Sequence, residues 1–334
     1  MRSKGELEAA IREGGRAVLV VNVRSRRGRR LFERARELLA EAGLTFTEVF
    51  PVARPETLPG LFEDVLALEP DLVVVGGGDG TVAEAVGHLT HRDTALGVLP
   101  LGTTNNFARS LELPLDLPGA VGVLRDGKVA DVDVGWVEGT GSGGDGDRAD
   151  DAGEGGGDAS GPAGHIFANM VSLGLSVQVA EQVPHELKRF LGRTAYALTA
   201  ARLLPGHKAF RATVQVGDRT YEMDTHQLNV ANGAHHSGQR IARDASPDDR
   251  LLVVYRLGDR RRLRLASATA RHVLTGQWRS LAEEEFITTD RVRIETDPPM
   301  RVDVDGELRG RTPVTVRLLG NALRVVVPRS FVDT

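Results

Sequence analysis

Short runs of β-branched residues alternate with segments of helical periodicity over the first 130 residues of the chain. The run Ala17–Val23 is typical of a buried strand, and Leu31–Gly43 is typical of an amphipathic helix that ends at a glycine. Further strands are predicted from Leu44, from Asp71 and at Ala95–Leu99, and further helices at about Glu56–Leu68, after Thr81 and near Thr104. This alternation predicts a mostly parallel, doubly wound sheet, whose ligands bind beyond the carboxyl ends of the strands.

After about Ala130 the apolar residues recur with a period of two, which is typical of antiparallel strands. Strands are predicted at 131–137, 165–173, 210–216, 225–231, 251–257, 286–295, 300–304 and 323–327, and helical patterns near 184–204 and 262–275. We therefore predict an α/β, doubly wound N-terminal domain over residues 1–130 and a mainly antiparallel β domain over residues 131–334. A chain of 334 residues is long enough for both domains.

The first two strands of the β domain are separated by an acidic, glycine-rich insert at about residues 139–164. The segment Glu138–Gly164 holds eleven of the 39 glycines, seven acidic residues and one arginine. Because it has almost no apolar side chains, it cannot offset its ordering entropy, and we predict a disordered hairpin loop. The whole chain carries a net charge of −4, so the chain outside this segment is slightly basic.

Composition excludes several classes of site. The chain has no cysteine, which rules out disulfides, thiolate nucleophiles, iron–sulfur clusters and zinc held by cysteine. No run of residues approaches the roughly 18 apolar residues of a membrane-spanning helix, and we expect a cytoplasmic protein. All but four of the 42 lysines and arginines are arginine. Arginine suits phosphate groups, but genomic base composition explains the same bias equally well.

The strongest local signal is DLVVVGGGDGTVAEAV, which begins at Asp71. A predicted strand ends in Gly76, Gly77 and Gly78, followed by Asp79, Gly80 and a helix at which Thr81 and Glu84 have capping-box spacing. Glycines at such a turn let phosphate oxygens approach backbone N–H groups, and the helix N-terminus favours anions. Asp79 is suited to hold Mg²⁺ against a nucleotide's phosphates. The alternatives are an ordinary tight turn and a weak dinucleotide-binding match that lacks its later acidic residue.

A second turn of this kind follows the next predicted strand, in PLGTTNNFAR from Pro100. Gly102 indicates a special backbone conformation, and Thr103, Thr104, Asn105 and Asn106 offer side-chain donors and acceptors where another helix begins. The alternative is plain helix capping by threonine or asparagine. Because both turns follow neighbouring strands of a parallel sheet, we expect them to face one crevice.

Together, GGGDGT from Gly76 and PLGTTNNFAR from Pro100 resemble the diacylglycerol kinase catalytic-domain family. These are soluble bacterial lipid kinases related to sphingosine kinases and, more distantly, to NAD kinases and phosphofructokinases. Weaker matches follow in the family's order along nearly the whole chain: VNVRSRRG from Val21, DVDVG from Asp131, FANMVSLG from Phe167, FLGRTAYAL from Phe190, VANG from Val230 and VDVDGE from Val302.

The resemblance implies a two-domain kinase with ATP and Mg²⁺ in the cleft and a lipid hydroxyl as phosphoryl acceptor. Residues that match its nucleotide site are Asn22, Ser25, Gly77, Gly78, Asp79, Gly80, Thr81, Thr103 and Asn105, and Gly102 belongs to the same turn. The family's general base carries over onto Glu307, with Asp305 beside it as a further catalytic candidate. From the residues alone, Asp305-Gly306 also predicts a hairpin turn between two strands.

Three departures from the family pattern concern metal binding. Asn106 stands where many members have aspartate, and the segment from Ser237 to Val254 replaces a glycine triplet and an Asp-Gly-Leu loop that holds a structural Mg²⁺ in relatives. Asp249 matches the loop aspartate and is our second metal candidate after Asp79, whereas Arg250 replaces the loop glycine.

The sequence therefore predicts an ATP- and Mg²⁺-dependent lipid kinase that is cytoplasmic and touches the membrane surface transiently to reach its lipid substrate. We expect no nucleic-acid partner, and a homodimer is one option. An NAD kinase and a catalytically weakened lipid- or nucleotide-binding protein are the alternatives. Neither the lipid nor the oligomeric state can be read from the residues.

Overall fold

The structure is a computed structural model, and it describes residues 2–24, 26–139, 164–182, 207–233, 235–236, 239–240, 247–257 and 287–333. The α-helices are α1 Lys4–Arg12, α2 Arg26–Glu41, α3 Leu58–Ala67, α4 Asp79–Leu89, α5 Asn106–Ser110, α6 Leu117–Asp126 and α7 Leu175–Gln182, with a 3₁₀ turn at Pro55–Thr57. Among the described residues no helix is long and apolar enough to cross a bilayer.

The strands of the larger sheet are β1 Ala17–Asn22, β2 Glu48–Val52, β3 Leu72–Gly77, β4 Ala95–Pro100, β5 Lys128–Gly139, β6 Gly164–Phe167, β8 Phe210–Val216, β9 Arg219–Thr225, β15 Arg291–Asp297 and β18 Val314–Val327. Those of the second sheet are β7 Met170–Gly174, β10 Gln227–Asn232, β13 Leu252–Leu257, β14 Ile287–Thr289, β16 Arg301–Val304 and β17 Glu307–Arg311, and β11 His235–His236 pairs with β12 Gln239–Arg240.

The parallel part of the larger sheet runs in the order β2-β1-β3-β4-β18. Strands β3 and β4 are buried along their whole length because helices cover both faces, and their valine- and leucine-rich sequences fit that burial. Beyond β4 the last strand of the chain, β18, completes the sheet. This arrangement confirms the predicted doubly wound α/β fold of the N-terminal part.

The second sheet is antiparallel, in the order β14-β13-β10-β7-β16-β17. It packs on the antiparallel part of the larger sheet through a core of aliphatic side chains and phenylalanines, in which Leu173 and Leu228 of one sheet meet Val292 and Val316 of the other. The predicted antiparallel β domain is therefore confirmed as a β sandwich. The proposed boundary near residue 130 falls inside β5 and stays a prediction.

Several elements differ from the sequence prediction. The predicted strand at 165–173 is interrupted at Ala168 and Asn169, whose N–H groups bind a side chain instead of a neighbouring strand. The strand predicted from Leu44 begins only at Glu48. The residues before it form an irregular segment, from which Leu44 and Phe46 pack on the core. The sequence analysis missed α1, α6, α7, β9 and the first half of β18, and it anticipated β17 only as the second strand of the Asp305-Gly306 hairpin. The insert at 140–163 and the helical patterns at 184–204 and 262–275 lie outside the described residues.

A substitution at Gly135 tests how tightly this sandwich is packed. A Cβ atom at Gly135 would lie 2.0 Å from the ring of Phe167, which is fully buried. We expect Gly135→Ala to lower the free energy of unfolding by about 1–3 kcal/mol through overpacking. Gly122→Ala is the matched control, since open space surrounds Gly122 within α6, and alanine there should stabilise by about 0.5–1 kcal/mol. The free energy of unfolding of both variants is measured with denaturant. A change in the same direction for both variants would contradict this account.

Candidate active site

The two glycine-rich turns lie side by side, as their positions in the sequence predict. One joins β3 to α4 and the other follows β4. A Cβ atom at Gly102 would lie 2.5 Å from Cα of Gly78, so the two backbones touch with no room for a side chain. The N–H of Leu101 also donates to the carbonyl of Gly77 at 2.9 Å. The turns therefore form one continuous surface at the carboxyl edge of the parallel sheet.

Close packing explains two of the predicted nucleotide-site glycines. A Cβ atom at Gly77 would lie 2.5 Å from Cβ of Thr81, just as one at Gly102 would meet Gly78. Gly80 differs, because nothing lies within 4 Å of its Cβ position and it is exposed at the start of α4. Gly102 thus permits the close approach of the two turns, and Gly77 permits the close packing of Thr81. Gly80 leaves space beside the helix N-terminus for another molecule.

The N-terminus of α4 has a different cap from the one predicted. The helix begins at Asp79, its N-cap is Gly78, and no side chain caps it. The predicted capping box of Thr81 and Glu84 is therefore wrong. The Thr81 hydroxyl accepts from Nδ2 of Asn22 at 3.2 Å, while Glu84 Oε1 lies 3.1 Å from Nε2 of His88. The uncapped first turn of an 11-residue helix favours an anion.

Asp79 joins the two turns through its carboxylate. Its Oδ2 accepts a hydrogen bond from the Thr104 hydroxyl at 2.6 Å, and its Oδ1 accepts from the N–H of Phe107 at 3.2 Å. The N-cap of α5 is Asn105, which has a left-handed backbone and does not cap its own helix. Asp79 therefore caps α5 from the neighbouring turn, and this fixes the position of its carboxylate.

The side chain of Asn105 forms hydrogen bonds within the second turn. Its Oδ1 accepts from the N–H of Gly102 at 2.9 Å, and its Nδ2 donates to the carbonyls of Gly102 and Pro100 at 3.1 and 3.4 Å. Since the side chain is buried and its oxygen and nitrogen both bind the loop, its first role is to hold the second turn. Thr103 is exposed at that turn, and Ser25 lies outside the described residues.

Asn22 links the first strand to the same turns. Its Nδ2 reaches Thr81, and its Oδ1 accepts from the N–H of Arg24 at 3.1 Å. The structure thus brings the predicted residues Asn22, Asp79 and Thr81 together at one edge of the sheet.

Asp305 and Gly306 form the predicted hairpin turn between β16 and β17. Both have positive φ angles, 50° and 97°, as a two-residue type I′ turn requires. The Asp305 carboxylate folds back onto the break between β6 and β7, where it accepts from the N–H groups of Ala168, Asn169 and Met170 at 2.6, 2.9 and 2.9 Å. Asp305 is therefore both a turn residue and a carboxylate held at a fixed point.

The pKa of Asp305 depends on groups from both halves of the site. Burial raises this pKa to about 6, the three backbone N–H groups oppose the rise, and the negative charge of Asp79 adds to it. Asp79 belongs to the α/β part and Asp305 to the β sandwich, yet their charges interact. The structure thus brings together two carboxylates that the sequence analysis singled out separately.

A cleft of about 300 Å³ lies between these two parts of the protein. One wall is the exposed side of α4, the second is the β16–β17 hairpin, and the floor is formed by β5 and β6. Its lining residues are Gly80, Ala83, Glu84, Gly87, His88, Trp136, Gly164, His165, Ile166, Val304, Asp305, Glu307 and Arg309. The cleft therefore opens next to the uncapped N-terminus of α4.

Glu307 lies in this cleft on an exposed strand. Its carboxylate forms an ion pair with the guanidinium of Arg309, two residues along β17. The pKa of His165 is lowered, chiefly by burial and then by the charge of Arg309, while Glu307 opposes that fall. Sequence reasoning missed His88, His165 and Arg309, because no motif marks the two histidines and Arg309 is one arginine among many.

Asp249 is placed apart, in the loop before β13. Its Oδ1 accepts from the N–H of Leu251 at 2.9 Å, and the N–H of the neighbouring Arg250 donates to the buried carboxylate of Asp133 at 2.8 Å. Arg250 has a φ of 59°, so the position requires the left-handed backbone that glycine adopts more easily. No group of three or more histidine, aspartate or glutamate side chains suited to a metal ion occurs among the described residues. Metal binding at Asp249 stays a prediction.

Comparison with known proteins places the chain in a family. Residues 16–137 match the diacylglycerol kinase catalytic domain, and residues 169–327 match the YegS C-terminal NAD kinase beta sandwich-like domain. The two matches together span most of the chain. This chain therefore belongs to the diacylglycerol kinase catalytic-domain family.

Particular relatives agree with that assignment. The chain is 26% identical over 260 residues to a Staphylococcus carnosus protein named "Putative lipid kinase", covering 77% of this chain and 76% of the relative. It is 26% identical over 277 residues to a Staphylococcus epidermidis protein named "Diacylglycerol kinase", covering 80% and 77%. A crystal structure of a diacylglycerol kinase from Bacillus anthracis shares the fold with a TM-score of 0.71 at 21% identity, covering 95% of this chain and 98% of that one.

The coupling of the two carboxylates can be measured. We expect the side-chain carboxyl carbon of Asp305 to titrate near pH 6 in carbon-detected NMR of the metal-free protein. Asp79→Asn removes a negative charge that raises the pKa of Asp305, so the midpoint should move to lower pH. Glu84→Gln is the control, because Glu84 is not among the groups that shift this pKa. In this variant the titration midpoint of Asp305 should not move. An unchanged midpoint in Asp79→Asn would show that the two carboxylates do not interact.

Proposed function

We propose that this protein is an ATP- and Mg²⁺-dependent lipid kinase that transfers the γ-phosphoryl group of ATP to a lipid hydroxyl. The observation that carries the proposal is the cleft in which the N-terminus of α4 faces the Asp305–Glu307 hairpin. An anion site and a carboxylate on opposite walls are what phosphoryl transfer to a hydroxyl requires. Family membership supports the kinase activity, and the names of the relatives support a lipid acceptor.

The nucleotide phosphates would bind at the two turns. No side chain caps the start of α4, the space beside Gly80 is open, and the helix dipole favours negative charge there. Asn22 and Asn105 hold the turns in shape from inside, so the phosphate site is organised before a ligand arrives. Thr103 is exposed and free of such a structural task within the described residues, which suits a direct contact with the nucleotide.

Asp79 and Asp305 fit a divalent cation. Two carboxylates whose charges interact across the cleft are oxygen ligands of the kind that Mg²⁺ prefers. When bound, Mg²⁺ would neutralise the phosphate charge that develops during transfer. Hydrogen bonds from Thr104 and Phe107 orient Asp79, and three backbone N–H groups orient Asp305, so neither carboxylate needs to reorganise.

Glu307 would accept the proton of the acceptor. The lipid oxygen forms a bond to the γ-phosphorus as the bond from that phosphorus to the bridging oxygen of ADP breaks, and the hydroxyl proton passes to the Glu307 carboxylate. Glu307 is exposed and pairs only with a neighbour on its own strand among the interactions described, so its side chain can turn towards an incoming hydroxyl. Such positioned proton acceptors contribute about 10²–10⁴-fold to turnover.

Glu307→Gln tests this assignment. We expect turnover to fall by about 10²–10⁴-fold with nucleotide affinity nearly unchanged, because the side chain would face the hydroxyl and not the nucleotide. Glu84→Gln is the control, since Glu84 also lines the cleft but pairs with His88. Its turnover should stay within about threefold of the parent. Steady-state kinetics and nucleotide titration of both variants would reject the assignment if Glu307→Gln retained the parent's turnover.

The activity itself is tested with labelled ATP and Mg²⁺. Vesicles that carry diacylglycerol or a sphingoid base are the acceptors, and NAD in solution is the alternative acceptor. We expect labelled phospholipid to form at the vesicle surface, which would also support the proposed peripheral contact with membranes. Labelled NADP without labelled lipid would favour an NAD kinase. Nucleotide binding without any transfer would favour a binding protein. A homodimer remains a prediction that this assay does not address.

A further inference from the structure

The hairpin that carries Glu307 also presents an arginine to the cleft. Glu307 and Arg309 are two residues apart on β17 and lie on one side of the strand. The pairing of β16 with β17 is irregular beyond Leu308, since Asp303 pairs with Leu308 but Arg301 with Arg311, so Arg311 lies on the other side. All five residues of β17 are exposed, because it is the edge strand of its sheet. Arg309 lines the cleft together with Gly80, whereas Arg311 does not. The strand therefore brings one guanidinium, and only one, to the cleft lining.

The charges of the cleft favour a function for that guanidinium. The lining includes the carboxylates of Glu84, Asp305 and Glu307, with Asp79 close enough to raise the pKa of Asp305. Among the lining residues that the structure describes, Arg309 is the single lysine or arginine. A phosphate group that enters this acidic space needs a fixed positive charge beside it. Guanidinium suits that task because its planar fork binds two phosphate oxygens at once.

The distances that the reaction requires also place Arg309 near the transferred phosphoryl group. A carboxylate that takes the acceptor's proton lies about 3 Å from the acceptor oxygen, and that oxygen attacks phosphorus from about 3–3.5 Å. A group in contact with the carboxylate is therefore within reach of the oxygens on that phosphorus. Arg309 contacts the Glu307 carboxylate directly.

We propose that Arg309 is a catalytic residue that binds the transferred phosphoryl group, and this proposal rests on the proposed kinase function. Without nucleotide, Glu307 holds the guanidinium in the cleft. When the γ-phosphoryl group lies beside the hairpin, Arg309 exchanges its carboxylate partner for phosphate oxygens, and Glu307 is released to accept the proton of the hydroxyl. Arg309 itself gains and loses no covalent bond. The ion pair thus keeps both groups at the reaction centre until the substrates arrive.

The test compares Arg309→Ala and Arg309→Lys with Arg311→Ala, the matched control on the same strand but outside the cleft lining. Turnover of labelled ATP on lipid vesicles, the KM values for ATP and lipid, and nucleotide affinity are measured for each. We expect Arg309→Ala to lower kcat by about 10²–10³-fold, the range for losing one donor to a transition-state charge, with nucleotide affinity within about threefold. Arg309→Lys should restore part of kcat, and added guanidinium ion should partly rescue Arg309→Ala. Arg311→Ala should stay within about threefold.

Each other outcome overturns the proposal in a recognisable way. A kcat of Arg309→Ala within about threefold of the parent excludes a contact with the phosphoryl group. A rise in the KM for lipid with kcat unchanged assigns Arg309 to the lipid headgroup. Equal losses in Arg309→Ala and Arg311→Ala indicate a general effect of surface charge. A parent protein that phosphorylates none of the lipids refutes the kinase function and this proposal with it. Thermal unfolding of Arg309→Ala, which we expect to match the parent, separates these outcomes from misfolding.

Discussion

Strand β18 is the constraint on which the geometry of the cleft depends. Its second half pairs with β4 of the parallel sheet, its first half pairs with β15 of the sandwich, and β5 follows it along both halves. The α/β part and the sandwich therefore share one hydrogen-bonded sheet. One cleft wall, α4, lies between β3 and β4 of this sheet. The other, the β16–β17 hairpin, belongs to the second sheet, in which β16 pairs with β7, the strand that follows β6 of the larger sheet. A shift of β18 by one residue would move the two walls relative to each other.

The carboxylates of the site also stabilise the backbone that positions them. Asp79 caps α5, and Asp305 closes the break between β6 and β7. A hydrogen bond to a charged acceptor is worth about 1.5–3 kcal/mol, so each interaction both orients the carboxylate and stabilises its loop. Substitution at either position changes stability as well as chemistry. Glu307 and Arg309 lack such structural duties among the interactions described, and their loss therefore reports on the reaction more directly.

Fully buried strands can be predicted from the sequence, and so can turns that depend only on the residues within them. Strands β1, β3 and β4 were predictable from continuous runs of valine and leucine, and the Asp305-Gly306 turn from its dipeptide. The pattern of β17 itself did not predict a strand, because all its residues are exposed and show no apolar alternation, and only the turn before it indicated one. The role of Asp305 was hidden for another reason: its partners at Ala168–Met170 lie about 135 residues earlier, and no local pattern records such contacts. No local pattern records the hydrogen bond from Phe107 to Asp79 either, by which Asp79 caps α5.

The charge distribution of the cleft couples its ligands to one another. Burial raises the pKa of Asp305, and the negative charge of Asp79 adds to the rise. A nucleotide brought in alone would add further negative charge to this space, whereas a divalent cation would attract both carboxylates and the phosphates. Under the proposed function, cation and nucleotide must therefore bind with positive cooperativity, because each lowers the electrostatic cost of the other. The cation would also lower the pKa of Asp305, so that this carboxylate stays ionised to lower pH when the site is loaded.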